Sequence, residues 1–164
     1  MAAREAARNF VGVDVRERVL SRAAALGVRN AAFLFANARH DAFLTALLAS
    51  YPGPLVTVSC LFPDPWSKPR FVRRRLLQPE LVAAVAARMP PGGSFVTATN
   101  DVPLADEMRT PFADNPLWQH APGADAQGWA AESPFPVATQ WECTMRARGV
   151  RIYWAHFLRT DVAA

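Results

Sequence analysis

The chain is 164 residues long, 51% hydrophobic and 20% charged, with 18 basic and 14 acidic side chains. These values fit one globular domain with a real core. No apolar run reaches the ~18 residues of a membrane span, and the start, MAAREAARNF, lacks the apolar centre of a secretory signal, although its arginines are compatible with the remnant of an organelle transit sequence. Cys60 and Cys143 stand far apart with no Cys-x-x-Cys spacing. That argues against a structural zinc site and a disulfide framework, and points to a reducing, intracellular and by default cytoplasmic setting.

Residues 2–8, AAREAAR, are rich in Ala with Glu and Arg and are predicted helical, with Asn9 as the break. Phe10 to Val15 reads as a short buried strand carrying an acid, Asp14, at its end. Arg16 to Leu26 follows helical spacing, with Val19, Leu20, Ala23 and Leu26 on one face and Gly27 as the stop. Ala31 to Ala36 is the next strand, closed by Asn37. Asp41 to Ser50 is helical and ends at the turn Tyr51-Pro52-Gly53-Pro54. Leu55 to Leu61 is a strand. Pro79 to Met89 is a helix with proline in its first turn, stopped by PPGG at 90–93. Ser94 to Thr99 is a strand followed by Asn100 and Asp101, and Pro103 to Phe112 is a helix. Residues 113–138 lose this rhythm and read as a long surface loop. Thr139 to Arg146 and Arg151 to Arg159 read as two β-rich segments around Gly149, an antiparallel hairpin. The alternation indicates an α/β domain with a mostly parallel sheet, single over residues 1–164 and without internal repeats.

The charge is concentrated. Residues 68 to 75 hold five cations and no acid, whereas the other 13 basic residues are balanced by 14 acidic ones. One dense patch favours a localised polyanion site over general basicity; a solvated basic loop is the plain alternative. The patch belongs to a longer stretch at the end of the Leu55–Leu61 strand, LFPDPWSKPRFVRRR. Two prolines clamp Asp64, Trp66 follows, and then come Lys68, Arg70, Arg73, Arg74 and Arg75. Lys68 is the only lysine in the chain.

Phe-Pro-Asp-Pro-Trp, then a lysine, then a cluster ending in Arg-Arg, resembles the signature of the tRNA (guanine-N7-)-methyltransferases. The resemblance extends from about Asn9 to Arg159. It implies a Rossmann-like fold with S-adenosylmethionine (SAM) as cofactor, and tRNA, through a guanine in its variable loop, as substrate and partner. It requires no membrane. In this fold a glycine-rich turn after the first strand holds the cofactor's methionine end. The only double glycine, Gly92-Gly93, stops a helix before a strand, which is the wrong order. By resemblance, then, the first strand and the Gly-rich motif are missing, and the chain is expected to be a fragment or truncated product with little SAM binding of its own. Their loss leaves Phe10–Val15 and Leu55–Leu61 without a shared neighbour, at a cost of about 1–3 kcal/mol for each unpaired buried group, unless these two strands pair directly with each other. A non-catalytic RNA-binding remnant is the alternative function.

Residue by residue, an acid at the position of Asp14 accepts ribose hydroxyls in Rossmann-type sites; the other reading is an N-cap for the following helix. Asn37 is matched to the adenine contact, or is again a cap. Asp64 is the catalytic residue and part of the cofactor set, with a turn-forming Asp between prolines as the bland reading. Guanine N7 carries a free lone pair, so no general base is obligatory. Asp64 would grip the N–H donors of the base and offset the charge it acquires. Lys68 is matched to a substrate-contacting lysine, and Arg70, Arg73, Arg74 and Arg75 to phosphate contacts that make affinity salt-dependent. Pro69 and Phe71-Val72 replace residues that are usually basic or polar. Trp66 packs the loop in preference to stacking on a base. Asn100 stands where the family has a substrate-contacting Asp, and Asp101 is its possible substitute. Thr139 and Glu142 match a substrate-side Thr-x-x-Glu; exposed polar residues of a hairpin strand are the alternative. His40, His120 and His156 have no metal-ligand spacing, and no metal is expected.

Overall fold

A computed structural model describes residues 1–39 and 41–161; His40 lies outside them. The chain forms two compact units, Met1–Ala49 and Ser50–Ala164.

In the first unit, β1 (Phe10–Asp14) and β2 (Ala31–Phe35) pair in parallel, from Phe10 opposite Ala31 to Asp14 opposite Phe35. Parallel neighbours need a crossover, and α1 (Glu17–Ala24) supplies it. A Cβ on Gly12 would sit 2.9 Å from the Phe33 ring, so the bare backbone of β1 is what lets that ring lie across it. Helix α2 (Asp41–Ser50) follows β2. The expected face of α1 is only partly realised: Leu20 is buried, whereas Val19 and Leu26 are exposed. Residues 2–8 are not a helix; only Ala2–Arg4 makes a 3-10 turn. Asn30 explains the difference. Its amide nitrogen lies 2.7–3.0 Å from the carbonyls of Ala2, Glu5 and Arg8 and gathers them from outside the segment.

The second unit holds β3 (Thr57–Leu61), α3 (Pro79–Arg88), β4 (Ser94–Thr99), α4 (Val102–Ala113), β5 (Trp118–His120), α5 (Gln140–Ala147) and β6 (Tyr153–Arg159). Its sheet runs β3-β4-β6-β5, parallel at β3/β4 and antiparallel at the other two pairs. The sheet is therefore mixed. Strand β4 is flanked on both edges, and Phe95 through Thr99 are all buried, as expected of a strand covered on both faces. On one side Phe95 meets Phe112 and Trp118 edge-on at 4.9 and 5.9 Å, and Phe112 stacks on Phe157 at 4.0 Å. On the other, Val96, Ala98 and Trp154 pack with Leu61, Phe62 and Phe135. Cys60 of β3 is buried, which pushes its thiol pKa up to about 12, whereas Cys143 on α5 is exposed.

Two expectations are corrected here. Residues 113–138 are not a bare surface loop: they supply β5, bury Trp118, Ala121 and Trp129, and bridge Ala130 to Trp154. The segment from Thr139 to Arg146 is not a hairpin strand but α5 with its cap. The β-forming Trp141, Cys143 and Thr144 are overruled by a local device. Thr139 Oγ1 accepts the Glu142 N–H at 3.0 Å, and Glu142 Oε2 accepts the Thr139 N–H at 3.3 Å. This reciprocal capping box satisfies two N-terminal donors at once. The antiparallel closure expected at the carboxyl end is made by β5 against β6.

Candidate active site

The site is built on the loop after β3. The Phe62 N–H bonds to the Ala98 carbonyl at 2.7 Å, carrying the β3/β4 ladder one step past the strand. The backbone then departs from ordinary geometry. Phe62 and Trp66 both take positive φ, 53° and 45°. A side chain in this region costs about 1–2 kcal/mol, and such strain persists only where neighbours enforce it. They do so here. Phe62 packs edge-on against Trp154 at 6.2 Å, and Trp66 against Phe71 at 5.7 Å. Arg75 Nε donates to the Pro65 carbonyl at 2.8 Å while its guanidinium pairs with Glu107 of α4. Between the two strained residues, Pro63 and Pro65 fix their own φ, and Asp64 is presented to solvent on the crest.

The five cations that follow are not equivalent. Pro69–Arg74 is a 3-10 helix, in which residues three apart eclipse. Arg74 therefore lies over Phe71, at 4.4 Å, and also over Trp66, at 5.2 Å; Arg70 covers Phe71 at 4.8 Å. Lys68, Arg70, Arg73 and Arg74 are exposed. Arg75 is 8% exposed and turns inward beside Val72. Both line a recess of about 250 Å³ under the loop, with Pro63, Asp64, Leu104 and Met108. That is below the ~300–1,000 Å³ of typical ligand sites, and the recess serves as the underside of the Asp64 loop.

Because β3 and β4 are parallel, Asn100 and Asp101 emerge at the same carboxyl edge as Asp64. Asp101 is the N-cap of α4, accepting the Leu104 N–H at 2.9 Å. Asn100 Oδ1 accepts the indole N–H of Trp141 at 3.0 Å, which draws α5 to this edge. Thr139 and Glu142 are accounted for locally: Glu142 is 1% exposed and also pairs with Arg146 at 2.7 Å. Thr139→Ala should lower the unfolding free energy by about 1 kcal/mol, the usual value of such a cap. Urea denaturation measures this, and an unchanged midpoint would show that the hydroxyl serves something other than the helix.

In the first unit, Asp14 and Asn37 share one edge, since the Ala36 N–H bonds to the Asp14 carbonyl at 3.2 Å. Asp14 is bound by Arg16. Oδ1 accepts the Arg16 backbone N–H at 2.8 Å and Nε at 3.1 Å, and Oδ2 accepts a terminal guanidinium N–H at 3.1 Å. The Arg16 side-chain hydrogen bond is the main cause that holds the Asp14 carboxyl below its ordinary range. The carboxylate is an acceptor only, and the Val15 backbone N–H also acts on it. Asn37 Oδ1 accepts the Arg39 N–H at 3.0 Å, which leaves its amide N–H groups to face a ring nitrogen. These are the polarities that the ribose and adenine of SAM require, so the residues present fit the adenosine half of the cofactor. Removing the Arg16 partner by Arg16→Ala should let the Asp14 pKa rise. A folded-state pKa below the unfolded one adds stability above the unfolded value, and this is lost as pH falls through the folded value. A carbon-detected NMR titration below pH of about 5 reads the shift.

Three features have no counterpart in the sequence reading: Glu107 as the partner of Arg75, the positive φ of Phe62 and Trp66, and Trp141 as the partner of Asn100; the packing of Trp66 against Phe71 is the expected one. Only the last has a visible sign, because the Thr-x-x-Glu cap pattern sets Trp141 in a first helical turn.

Residues 1–155 match a family model described as "Putative methyltransferase". The chain is 38% identical over 164 residues to the tRNA (guanine-N(7)-)-methyltransferase of Trichormus variabilis, covering 97% of this chain and 74% of that protein. It is 35% identical to the enzyme of the same name from Synechococcus elongatus, with the same coverage. Among solved structures it is similar to the 16S rRNA methyltransferase KamB, with a TM-score of 0.59 at 20% identity, covering 98% of this chain and 80% of that one. An rRNA methylase from Streptococcus thermophilus gives 0.52 at 12% identity, covering 93% and 74%. The structural likenesses concern the fold, a Rossmann-like methyltransferase fold.

Proposed function

This chain belongs to the tRNA (guanine-N7-)-methyltransferase family, and from that premise we propose how its own residues divide the work of methylating N7 of a guanine in the variable loop of tRNA. SAM, when bound, supplies an electrophilic sulfonium methyl. The guanine contributes the N7 lone pair, which would take up that methyl. The base becomes cationic, and no proton has to move.

Asp64 then has two tasks that need only a fixed carboxylate. It accepts the N–H donors of the guanine edge, and it lies near the positive charge that develops on the ring. The single observation that carries this reading is the Asp64 loop itself: an exposed acid held between two strained residues, directly followed by four outward cations. Lys68, Arg70, Arg73 and Arg74 grip tRNA phosphates, with Arg70 and Arg74 pre-oriented over aromatic rings. Arg75 positions the loop. Asp14 and Asn37 receive the ribose and adenine. Asn100 contacts the substrate base, and Thr139 and Glu142 set the helix beside it. We take the two units together as one methyltransferase domain. A tRNA substrate puts its work inside the cell, and among the described residues no helix is long and apolar enough to cross a membrane.

Transfer of radiolabelled methyl from SAM to unmodified tRNA, followed by nuclease mapping of the modified base, tests the reading. Label at N7 of a variable-loop guanine is the expected outcome. Salt-sensitive tRNA binding with no label would instead return the chain to a non-catalytic RNA-binding role.

A further inference from the structure

We infer that the turn between α5 and β6 is a second RNA-backbone contact, in which Arg148 and Arg151 neutralise phosphates of the same tRNA on the far flank of the methylating edge from Lys68–Arg74. The inference rests on the methyl-transfer reading above and deepens it by assigning a second anchor for the substrate. From Cys143 to Thr160 the chain has four arginines and no acid. The balanced charge of the rest of the chain conceals this local excess. Two of the four are spent. Arg146 pairs with the buried Glu142 at 2.7 Å, and Arg159 Nε donates to the Ala86 carbonyl at 3.0 Å. Arg148 and Arg151 are exposed and make no ion pair with a described residue. Cations at a helix end suit the helix dipole. That accounts for Arg146 and Arg148 but not for Arg151, which lies past the turn.

The turn is rigid. The Arg148 and Val150 N–H groups both bond to the Met145 carbonyl, at 3.1 and 3.0 Å, and the Gly149 N–H bonds to the Arg146 carbonyl at 3.0 Å. Gly149 takes a φ of 67°, the left-handed value on which helices commonly end. Arg151 is ordered at its tip as well. Its guanidinium lies over the Tyr153 ring at 4.7 Å, Trp129 meets that ring edge-on at 5.3 Å, and Arg109 covers Trp129 at 3.9 Å. A guanidinium already held on a ring has less freedom to lose when a phosphate binds. Asp125 acts on Arg151 electrostatically, but its Oδ1 already accepts the Gln127 and Trp129 N–H groups, both at 2.9 Å.

The placement suits a second anchor. Leu61 of β3 is level with Ala98 of β4, and Tyr153 of β6 is level with Thr99. Arg151 therefore enters β6 at the edge where the Asp64 loop leaves β3, with β4 between them. Adjacent strands lie about 4.8 Å apart, so the two cationic segments depart from strands about 10 Å apart. Cations on opposite flanks of one edge fall on different phosphates of a bound RNA. Folded RNA is recognised largely through its backbone, and two anchors fix its orientation where one leaves it free to pivot.

The test uses the full chain and an unmodified tRNA. Arg148→Gln with Arg151→Gln should lower the log–log slope of affinity against salt by about 0.7–0.9 for each phosphate no longer neutralised. Arg22→Gln with Arg29→Gln, two exposed residues of the first unit, changes the net charge equally and should leave the slope at its wild-type value. Ethylation of tRNA phosphates should interfere with wild-type binding at two separate runs. One run should stop interfering in the Arg148/Arg151 variant, and the other should persist. An unchanged slope in that variant, a fall no larger than in the Arg22/Arg29 control, or a single interfering run in the wild type overturns the inference. Slope and interference are both read without methyl transfer, which is assayed separately on the same samples. Its absence from the wild type would strike the methyl-transfer reading and leave the two binding measurements to decide this one.

Discussion

Asp64→Ala should lower the turnover of methyl transfer to tRNA by about 10²- to 10³-fold, the usual cost of deleting one preorganised electrostatic partner in an active site. Asp64 lies exposed on its loop, so stability should not follow the activity, and thermal unfolding should be close to wild type. Asp64→Asn separates the two tasks proposed for the carboxylate. An amide oxygen still accepts an N–H of the base but carries no charge. A milder defect in Asn than in Ala means that positioning dominates; equal defects mean that the charge on the methylated ring dominates. Full turnover in Asp64→Ala would remove this residue from the chemistry.

Arg75→Met should cost about 10²-fold in turnover, with no change in the salt dependence of tRNA binding. The buried Arg75 ties the Pro65 carbonyl to Glu107, one residue beyond Asp64. Without it the strained geometry at Phe62 and Trp66 is left with one restraint fewer, and a displacement of about 1 Å at a catalytic group costs on the order of 10²-fold. Glu107 is half exposed, so the variant leaves no buried charge behind and should still fold. Arg73→Ala with Arg74→Ala should do the opposite. Turnover at saturating tRNA should hold, while the log–log slope of affinity against salt falls by about 0.7–0.9 for each phosphate no longer neutralised. Equal effects of the two variants on the slope would show that Arg75 is only another surface cation.

That contrast marks how far the site is legible in the sequence. The Asp64 loop can be read because its information is in the letters: two prolines around an acid at a strand end, then a block of cations. Arg73, Arg74 and Arg75 are the same letter three times, and nothing local separates them. The separation comes from the 3-10 helix Pro69–Arg74, which includes Arg73 and Arg74 and stops before Arg75, and from an acid on α4, Glu107, a partner 32 residues further along the chain. The strands β1 to β4 and the helices α1 to α4 are legible from period and punctuation, within a few residues of their observed ends. Helix α5 is not, because Trp141, Cys143 and Thr144 favour a strand when taken one at a time. The Thr139-x-x-Glu142 cap that decides the matter is visible, but it reads first as a substrate motif. Strand β5 has three residues in a stretch of proline and glycine, too few for a period; it exists because Trp118 has Phe95 and Phe112 to pack against.

The contrast between Cys60 and Cys143 has a practical consequence. These are the only two thiols in the chain. One is sealed in β3, with a pKa of about 12 that keeps it from forming the reactive thiolate, and the other is open on α5. Thiol alkylation proceeds through the thiolate, so a maleimide dye should mark Cys143 and spare Cys60 without any engineering. The dye would sit on the helix that carries Trp141, two residues away. The native protein thus provides its own reporter position, from which the arrival of a labelled tRNA at the methylating edge can be timed by fluorescence energy transfer.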